Sequence, residues 1–157
     1  MSALGIEMTT TPQRDTGKAR ERSPVLIVDD DDDIRETLRA CLEEEGFLVR
    51  TACNGIEALA HLTEGSLPAL ILLDLMMPGM NGWEVLDQLR GDAARAAIPV
   101  AVMSGSHRGE VSSATYVVPK PFDLGAMVDL VREHCADAPD SRRHRTDRQA
   151  TLATSAA

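Results

Sequence analysis

The chain has 157 residues, enough for one domain with a substantial core but too few for two comfortable ones. Hydrophobic residues make up 43% of it and aromatic residues only 3%, so we expect a core of aliphatic side chains. The net charge is −9, and the acidic excess lies in the middle, because residues 1–23 and 135–157 each hold four basic and three acidic side chains. An acidic middle argues against nucleic-acid binding by the core and is compatible with a cation site.

The two ends of the chain lack hydrophobic periodicity. Residues 1–23 and 135–157 are rich in small polar and charged residues, which predicts disordered tails around a folded domain at 24–134. A basic run at 141–145 raises the alternative of binding to nucleic acid or an acidic partner, but we interpret it as part of a solvated tail. No signal-like or membrane-spanning apolar stretch is present, and three cysteines form no metal or disulfide pattern, so we expect a cytoplasmic protein that does not engage a membrane.

The first predicted element is a strand at 24–28, a continuous apolar run typical of a strand buried on both faces. A helix follows, in which apolar residues recur at helical spacing: Ile34, Leu38, Cys41 and Leu42. The aspartates at 31–33 supply negative charge to its first turn and Gly46 ends it. We interpret these three aspartates as a solvated helix start. An EF-hand is excluded because Ile34 and Ala40 occupy the positions that need Gly and Glu.

The same strand and helix alternation continues to the end of the folded part. Further strands are predicted at 47–52, 69–73, 99–103 and 115–118, and further helices at 55–64, 82–90 and 123–134. Such alternation predicts an α/β fold in which a parallel sheet is covered by helices on both faces through right-handed crossovers. Ligands of such sheets bind at the carboxyl ends of the strands.

Five polar residues fall at those strand ends. Asp29 and Asp30 follow the first strand, Asp74 the third, Ser104 the fourth and Lys120 the fifth. Two carboxylates about 4 Å apart repel by about 4 kcal/mol at an effective dielectric constant near 20, so a bound cation is the simplest remedy. Oxygen ligands beside a phosphate-handling site favour Mg²⁺.

The motifs at these strand ends resemble those of response-regulator receiver domains, the CheY-like superfamily of two-component signal transduction. They are VDD at 28–30, LDLMMPGMNG at 73–82, MSG at 103–105 and KPF at 120–122. The resemblance covers about residues 24–134. It implies a flavodoxin-like, doubly wound sheet of five parallel strands in the order 2-1-3-4-5.

The resemblance also implies a role for each site residue. Asp74 would be the phospho-acceptor, and Asp30, Asp74 and the Met76 carbonyl would bind Mg²⁺ directly, with Asp29 acting through water. Lys120 would pair with the phosphoryl oxygens, and Ser104 would hydrogen-bond the phosphorylated aspartate. The Lys120–Pro121 peptide would be cis.

The implied partners are a sensor histidine kinase or a histidine phosphotransfer protein, docked on Ile34, Thr37, Pro121 and Phe122. No effector domain is recognisable after His134, so we expect a phospho-receiver rather than an enzyme, acting on an unknown downstream protein. Two alternatives are a phosphorylation-independent adaptor, against which the intact site residues argue, and a haloacid-dehalogenase-type phosphatase. The phosphatase needs a second aspartate where Met76 stands.

Two departures from the family pattern concern the output side. Residues 105–114 leave ten positions for two loops and a helix, so the fourth helix is expected to be short or absent. The family's switching aromatic is replaced by Val117, while Tyr116 should lie on the opposite face of the strand. We therefore expect the signal to leave through the loop at 105–109.

Overall fold

The computed structural model describes residues 23–105, 111 and 114–135, which are organised around a five-stranded parallel sheet. The strands are β1 (Val25–Val28), β2 (Val49–Ala52), β3 (Leu70–Asp74), β4 (Val100–Ser104) and β5 (Tyr116–Pro119). Their spatial order is β2-β1-β3-β4-β5. The predicted fold class and strand order are therefore confirmed.

Helices cover both faces of this sheet. They are α1 (Asp32–Glu44), α2 (Gly55–Thr63), α3 (Gly82–Arg90), α4 (Ala93–Ala96) and α5 (Leu124–His134). Buried side chains of α1 and α5 share one core cluster, and those of α2 and α3 share a second cluster on the opposite face. Among the described helices none is long and apolar enough to cross a membrane.

Strand β3 shows why the sheet has two separate cores. Leu70 and Leu72 join the cluster under α1 and α5, whereas Ile71 and Leu73 join the cluster under α2 and α3. All four are essentially inaccessible to solvent. A run without polar residues is what a strand covered on both faces requires, since successive side chains point to opposite faces.

Helix α1 begins and ends with local signals that the sequence contains. The Asp31 carboxylate accepts the main-chain N–H groups of Asp33 and Ile34 at 2.9 and 3.2 Å, so Asp31 is the N-cap. Gly46 has a φ of 88°, and the Phe47 N–H bonds back to the Leu42 carbonyl at 3.0 Å. This closing turn explains why β2 begins two residues later than the strand predicted at 47–52.

The fourth helix in chain order, α4, is short, but it precedes β4. The shortened helix expected at 105–114 lies mostly outside the described residues, as does the proposed signalling loop at 105–109. Of that stretch Gly105, Val111 and Ala114 are described, and Val111 is buried in the cluster under α2 and α3. Tyr116 and Val117 face opposite sides of β5 as predicted, since Tyr116 packs beside His134 and Val117 against the cluster under α2 and α3.

Candidate functional site

The carboxyl ends of the strands assemble the predicted site. Asp29 directly follows β1, Asp74 is the last residue of β3, and Lys120 directly follows β5. Ser104 ends β4 and follows Met103, which pairs with Asp74 in the sheet. Because β3 lies between β1 and β4, the carboxylates occupy the centre of this edge. Asp74 and Ser104 belong to their strands, one residue beyond the predicted ends.

Three carboxylates converge at this edge. Asp29, Asp30 and Asp74 each offer one oxygen, and these oxygens all lie within 4.8 Å of one another. Asp29 is 0% exposed and Asp74 is 5% exposed, whereas Asp30 is open to solvent. The cluster is therefore a buried acidic pair with a third, accessible carboxylate, and it supplies only the hard oxygen donors that a magnesium ion prefers.

The Lys120 ammonium lies between the two buried carboxylates. Its Nζ donates to Asp29 Oδ2 at 2.8 Å and lies 3.5 Å from Asp74 Oδ1. The Lys120 main-chain N–H donates to the Ser104 carbonyl at 2.8 Å, which continues the pairing of β5 with β4. The Lys120–Pro121 peptide is cis, as the sequence analysis predicted. One cation thus contacts two of the three carboxylates.

These surroundings shift two pKa values. Burial raises the pKa of Asp74, and the negative charge of Asp29 adds to this, although Lys120 and the Met76 N–H oppose it. Burial alone would lower the pKa of Lys120, but the hydrogen bond and charge of Asp29, together with the charge of Asp74, raise it overall. Lys120 therefore stays protonated, while the Asp74 carboxylate lies in a buried environment that disfavours its negative charge.

The loop from β3 to α3 contacts Asp74 through its main chain. The Met76 N–H donates to Asp74 Oδ1 at 3.3 Å, and the Gly82 N–H donates to the Leu75 carbonyl at 3.1 Å. A Cβ atom on Gly82 would lie 2.4 Å from the Asp74 carbonyl oxygen and 2.7 Å from the Leu75 Cα. Only glycine lets the start of α3 approach the main chain of Asp74 so closely. Gly82 lies within the motif at 73–82, but no feature of the motif alone predicts this role.

The four residues predicted to bind a partner are also brought together. Ile34 and Thr37 from α1 line an open groove of about 550 Å³ with Pro121 and Phe122. The groove reaches the site through Lys120, which forms part of its wall. Its lining is largely apolar.

Comparisons with known proteins identify the family. The model of the response regulator receiver domain family matches residues 25–132. The chain is 35% identical over 121 residues to an uncharacterised 14.6 kDa protein of Leptolyngbya boryana, covering 73% of this chain and 92% of that protein. It is 41% identical over 118 residues to the transcriptional regulatory protein CpxR homolog of Haemophilus influenzae, covering 70% of this chain but 49% of the regulator. The chain thus spans about half the length of that regulator.

Solved structures give the same result. Chemotaxis protein CheY4 of Vibrio cholerae is similar with a TM-score of 0.65 at 27% identity, covering 72% of this chain and 98% of that one. The receiver domain of Francisella response regulator 1452 is similar with a TM-score of 0.66 at 27% identity, covering 73% and 97%. With the family model matched over most of the chain and the acidic cluster at the expected strand ends, this chain belongs to the response regulator receiver domain family.

Proposed function

We propose that this chain accepts a phosphoryl group on Asp74 from a histidine kinase or a histidine phosphotransfer protein, and that residues 24–134 form the receiver. The observation that carries the proposal is the convergence of Asp74 with Asp29, Asp30 and Lys120 at one sheet edge. These residues assist phosphorylation and dephosphorylation of the chain itself. The chain is therefore a phospho-acceptor rather than an enzyme with a separate substrate, and its output is a phosphorylation-dependent protein contact.

The donor set fits a magnesium ion. Asp30, Asp74 and the Met76 carbonyl would hold it directly, and Asp29 would hold it through water. All of these donors are oxygens, and the three carboxylates carry more negative charge than Lys120 neutralises. Bound Mg²⁺ would supply charge neutralisation for the phosphoryl oxygens.

The remaining side chains have roles that follow from their charge and position. The Asp74 carboxylate oxygen forms the new bond to phosphorus while the bond to the donor's imidazole nitrogen breaks. Lys120, already 3.5 Å from Asp74, would pair with the phosphoryl oxygens. Ser104, 2% exposed at the end of the neighbouring strand, would hydrogen-bond the phosphorylated aspartate.

Mass spectrometry tests the acceptor role. Incubation with acetyl phosphate and Mg²⁺ should add about 80 Da, the mass of one phosphoryl group, to the wild type. Asp74→Asn should abolish the gain, whereas Asp87→Asn, an exposed aspartate of α3, should not. A wild type that gains no mass and binds no Mg²⁺ near millimolar concentration would instead support the phosphorylation-independent adaptor.

The groove lined by Ile34, Thr37, Pro121 and Phe122 is the proposed docking surface for the kinase or phosphotransfer protein. Its apolar lining beside Lys120 would place a donor histidine near Asp74. Thr37→Arg should slow phosphoryl transfer from a histidine phosphotransfer protein but leave phosphorylation by acetyl phosphate unchanged, because the small donor needs no docking surface. Equal slowing with both donors would contradict this assignment.

A further inference from the structure

The turn between β1 and α1 carries the two adjacent aspartates of the site. The Asp29 N–H still belongs to the sheet, donating to the Ala52 carbonyl at 3.2 Å. The Asp29 carboxylate accepts the Asp31 N–H at 2.9 Å and the Lys120 ammonium at 2.8 Å. The carboxylate and the N–H of Asp29 are thus fixed by neighbours that the sheet edge provides.

The Asp29 carbonyl is held by a side chain outside the described acidic cluster. Arg35, one turn into α1, donates from Nη1 to the Asp29 main-chain oxygen at 2.7 Å. Its Nη2 pairs with the Asp32 carboxylate. The Arg35 side chain is 18% exposed, so its bond to the Asp29 carbonyl is partly buried, whereas the Asp32 carboxylate is open to solvent.

This contact has a geometric consequence for Asp30. The peptide unit that joins Asp29 to Asp30 is planar, so a fixed Asp29 carbonyl also fixes the direction of the Asp30 N–H and the position of its Cα. Asp30 is the solvent-exposed member of the cluster, and its main chain lies beyond the last strand residue. Arg35 therefore helps to position the Asp30 carboxylate, which the sheet constrains less than those of Asp29 and Asp74.

Resting on the proposed magnesium site, we propose that Arg35 is a positioning residue for metal binding. Its hydrogen bond to the Asp29 carbonyl sets the Asp29–Asp30 peptide plane and so keeps the Asp30 carboxylate beside Asp29 and Asp74. Charge and position predict opposite effects of removing Arg35. Loss of a positive charge near a cation site would strengthen Mg²⁺ binding, whereas loss of the positioning bond would weaken it.

The test compares two arginines of the same helix. Arg35→Met removes the contact with the Asp29 carbonyl. Arg39→Met is the control: it removes an equal charge from a side chain one turn after Arg35, which pairs with Glu36 and Glu43. Titration calorimetry with MgCl₂ should show affinity about tenfold weaker for Arg35→Met, as expected when a side chain that orients a metal ligand is lost. Arg39→Met should leave it unchanged, and Arg35→Lys, which keeps one donor, should fall between wild type and Arg35→Met.

A second measurement does not depend on metal. Without Mg²⁺, amide hydrogen exchange at Asp31, whose N–H bonds to the Asp29 carboxylate, should be faster in Arg35→Met than in wild type and unaffected by Arg39→Met. If Arg35→Met does not fold, Arg35→Gln replaces it with the same expected signs.

The outcomes separate the inference from the proposed function. Arg35→Met that binds Mg²⁺ as tightly as wild type, or more tightly, overturns the inference while the metal site stands. A wild type whose Mg²⁺ binding is absent, or unaffected by Asp30→Asn, overturns both.

Discussion

The centre and the margin of the sheet hold their site residues in different ways. Every residue of β1, β3 and β4 is buried, and these strands deliver Asp29, Asp74 and Ser104. Among the described strands β5 pairs only with β4; its first and last residues are exposed, and Lys120 follows it. Asp29 and Asp74 thus lie at the ends of strands whose main chain is covered by packing on both faces. The compensating cation reaches them from a half-covered edge strand.

The largest effect should come from removing the ion pair that joins the edge strand to the centre of the sheet, between Lys120 and Asp29. Lys120→Met leaves the fully buried Asp29 carboxylate without the ammonium that bonds it at 2.8 Å. Breaking a buried ion pair by removing one partner is strongly destabilising, so we expect a loss of about 3 kcal/mol in the free energy of unfolding. Urea denaturation at pH 7 measures it. Arg90→Met, an exposed cation of α3, is the control and should change little. A loss below about 0.5 kcal/mol for Lys120→Met would show that water replaces the ammonium.

A second substitution perturbs the centre alone. Gly82→Ala places a Cβ atom 2.4 Å from the Asp74 carbonyl oxygen, a main-chain atom that cannot turn aside. We expect the free energy of unfolding to fall by about 2 kcal/mol, which is in the range for overpacking. Phosphorylation by acetyl phosphate should also be slower, because the Asp74 main chain must shift.

Gly91 provides the matched control at the other end of α3. A Cβ atom there would lie 3.5 Å from the Gln88 carbonyl oxygen, an ordinary contact. Gly91→Ala should therefore leave both urea denaturation and the phosphorylation rate near the wild-type values. Equal effects at the two glycines would mean that the close approach to Asp74 is not the cause.

A third prediction concerns pH. Since burial raises the pKa of Asp74 in the folded chain, ionised Asp74 destabilises the fold, and Asp74→Asn should raise the melting temperature at pH 7 without divalent cations. Below the ordinary pKa of 3.8 the folded and unfolded carboxyl groups are both protonated, so the difference should vanish there. It should grow as the pH rises above 3.8 and level off above the elevated folded pKa. Thermal melts from pH 3 to 8 measure it, and a melting temperature of Asp74→Asn below that of wild type at pH 7 would contradict it.

How far the sequence predicts this molecule follows from the same contrast. The apolar runs of β1, β3 and β4 locate the strand ends to within one residue, and the rule that ligands meet the carboxyl ends of parallel strands then brings Asp29 and Asp74 together. Contacts with one particular main-chain carbonyl leave no periodic signal. The bond from Arg35 to Asp29 and the closeness of Gly82 to Asp74 are of this kind.

Strand ends were predicted within one or two residues for a similar reason. Asp74 pairs with Met103 and so extends β3 past its apolar run, a pairing set by the neighbouring strand rather than by the composition of β3. At β2, the bond from Phe47 to Leu42 places Phe47 in the turn that closes α1, although its apolar character had assigned it to the strand.

The smallest predicted effect lies at the margin. The Tyr116 ring lies 5.2 Å from the His134 ring, centroid to centroid, in a tilted arrangement that joins β5 to the end of α5. An aromatic pair of this kind contributes about 1 kcal/mol, so Tyr116→Ala should destabilise the fold by about that amount, as measured by urea denaturation. Tyr116→Phe keeps the ring and should match wild type. Because Tyr116 begins β5, at the end opposite Lys120, the rate of phosphorylation by acetyl phosphate should be the same in all three proteins. A slower rate in Tyr116→Ala at unchanged Mg²⁺ affinity would show that the packing of β5 affects how Lys120 is positioned beside Asp74. The edge strand and the centre of the sheet would then not be independent.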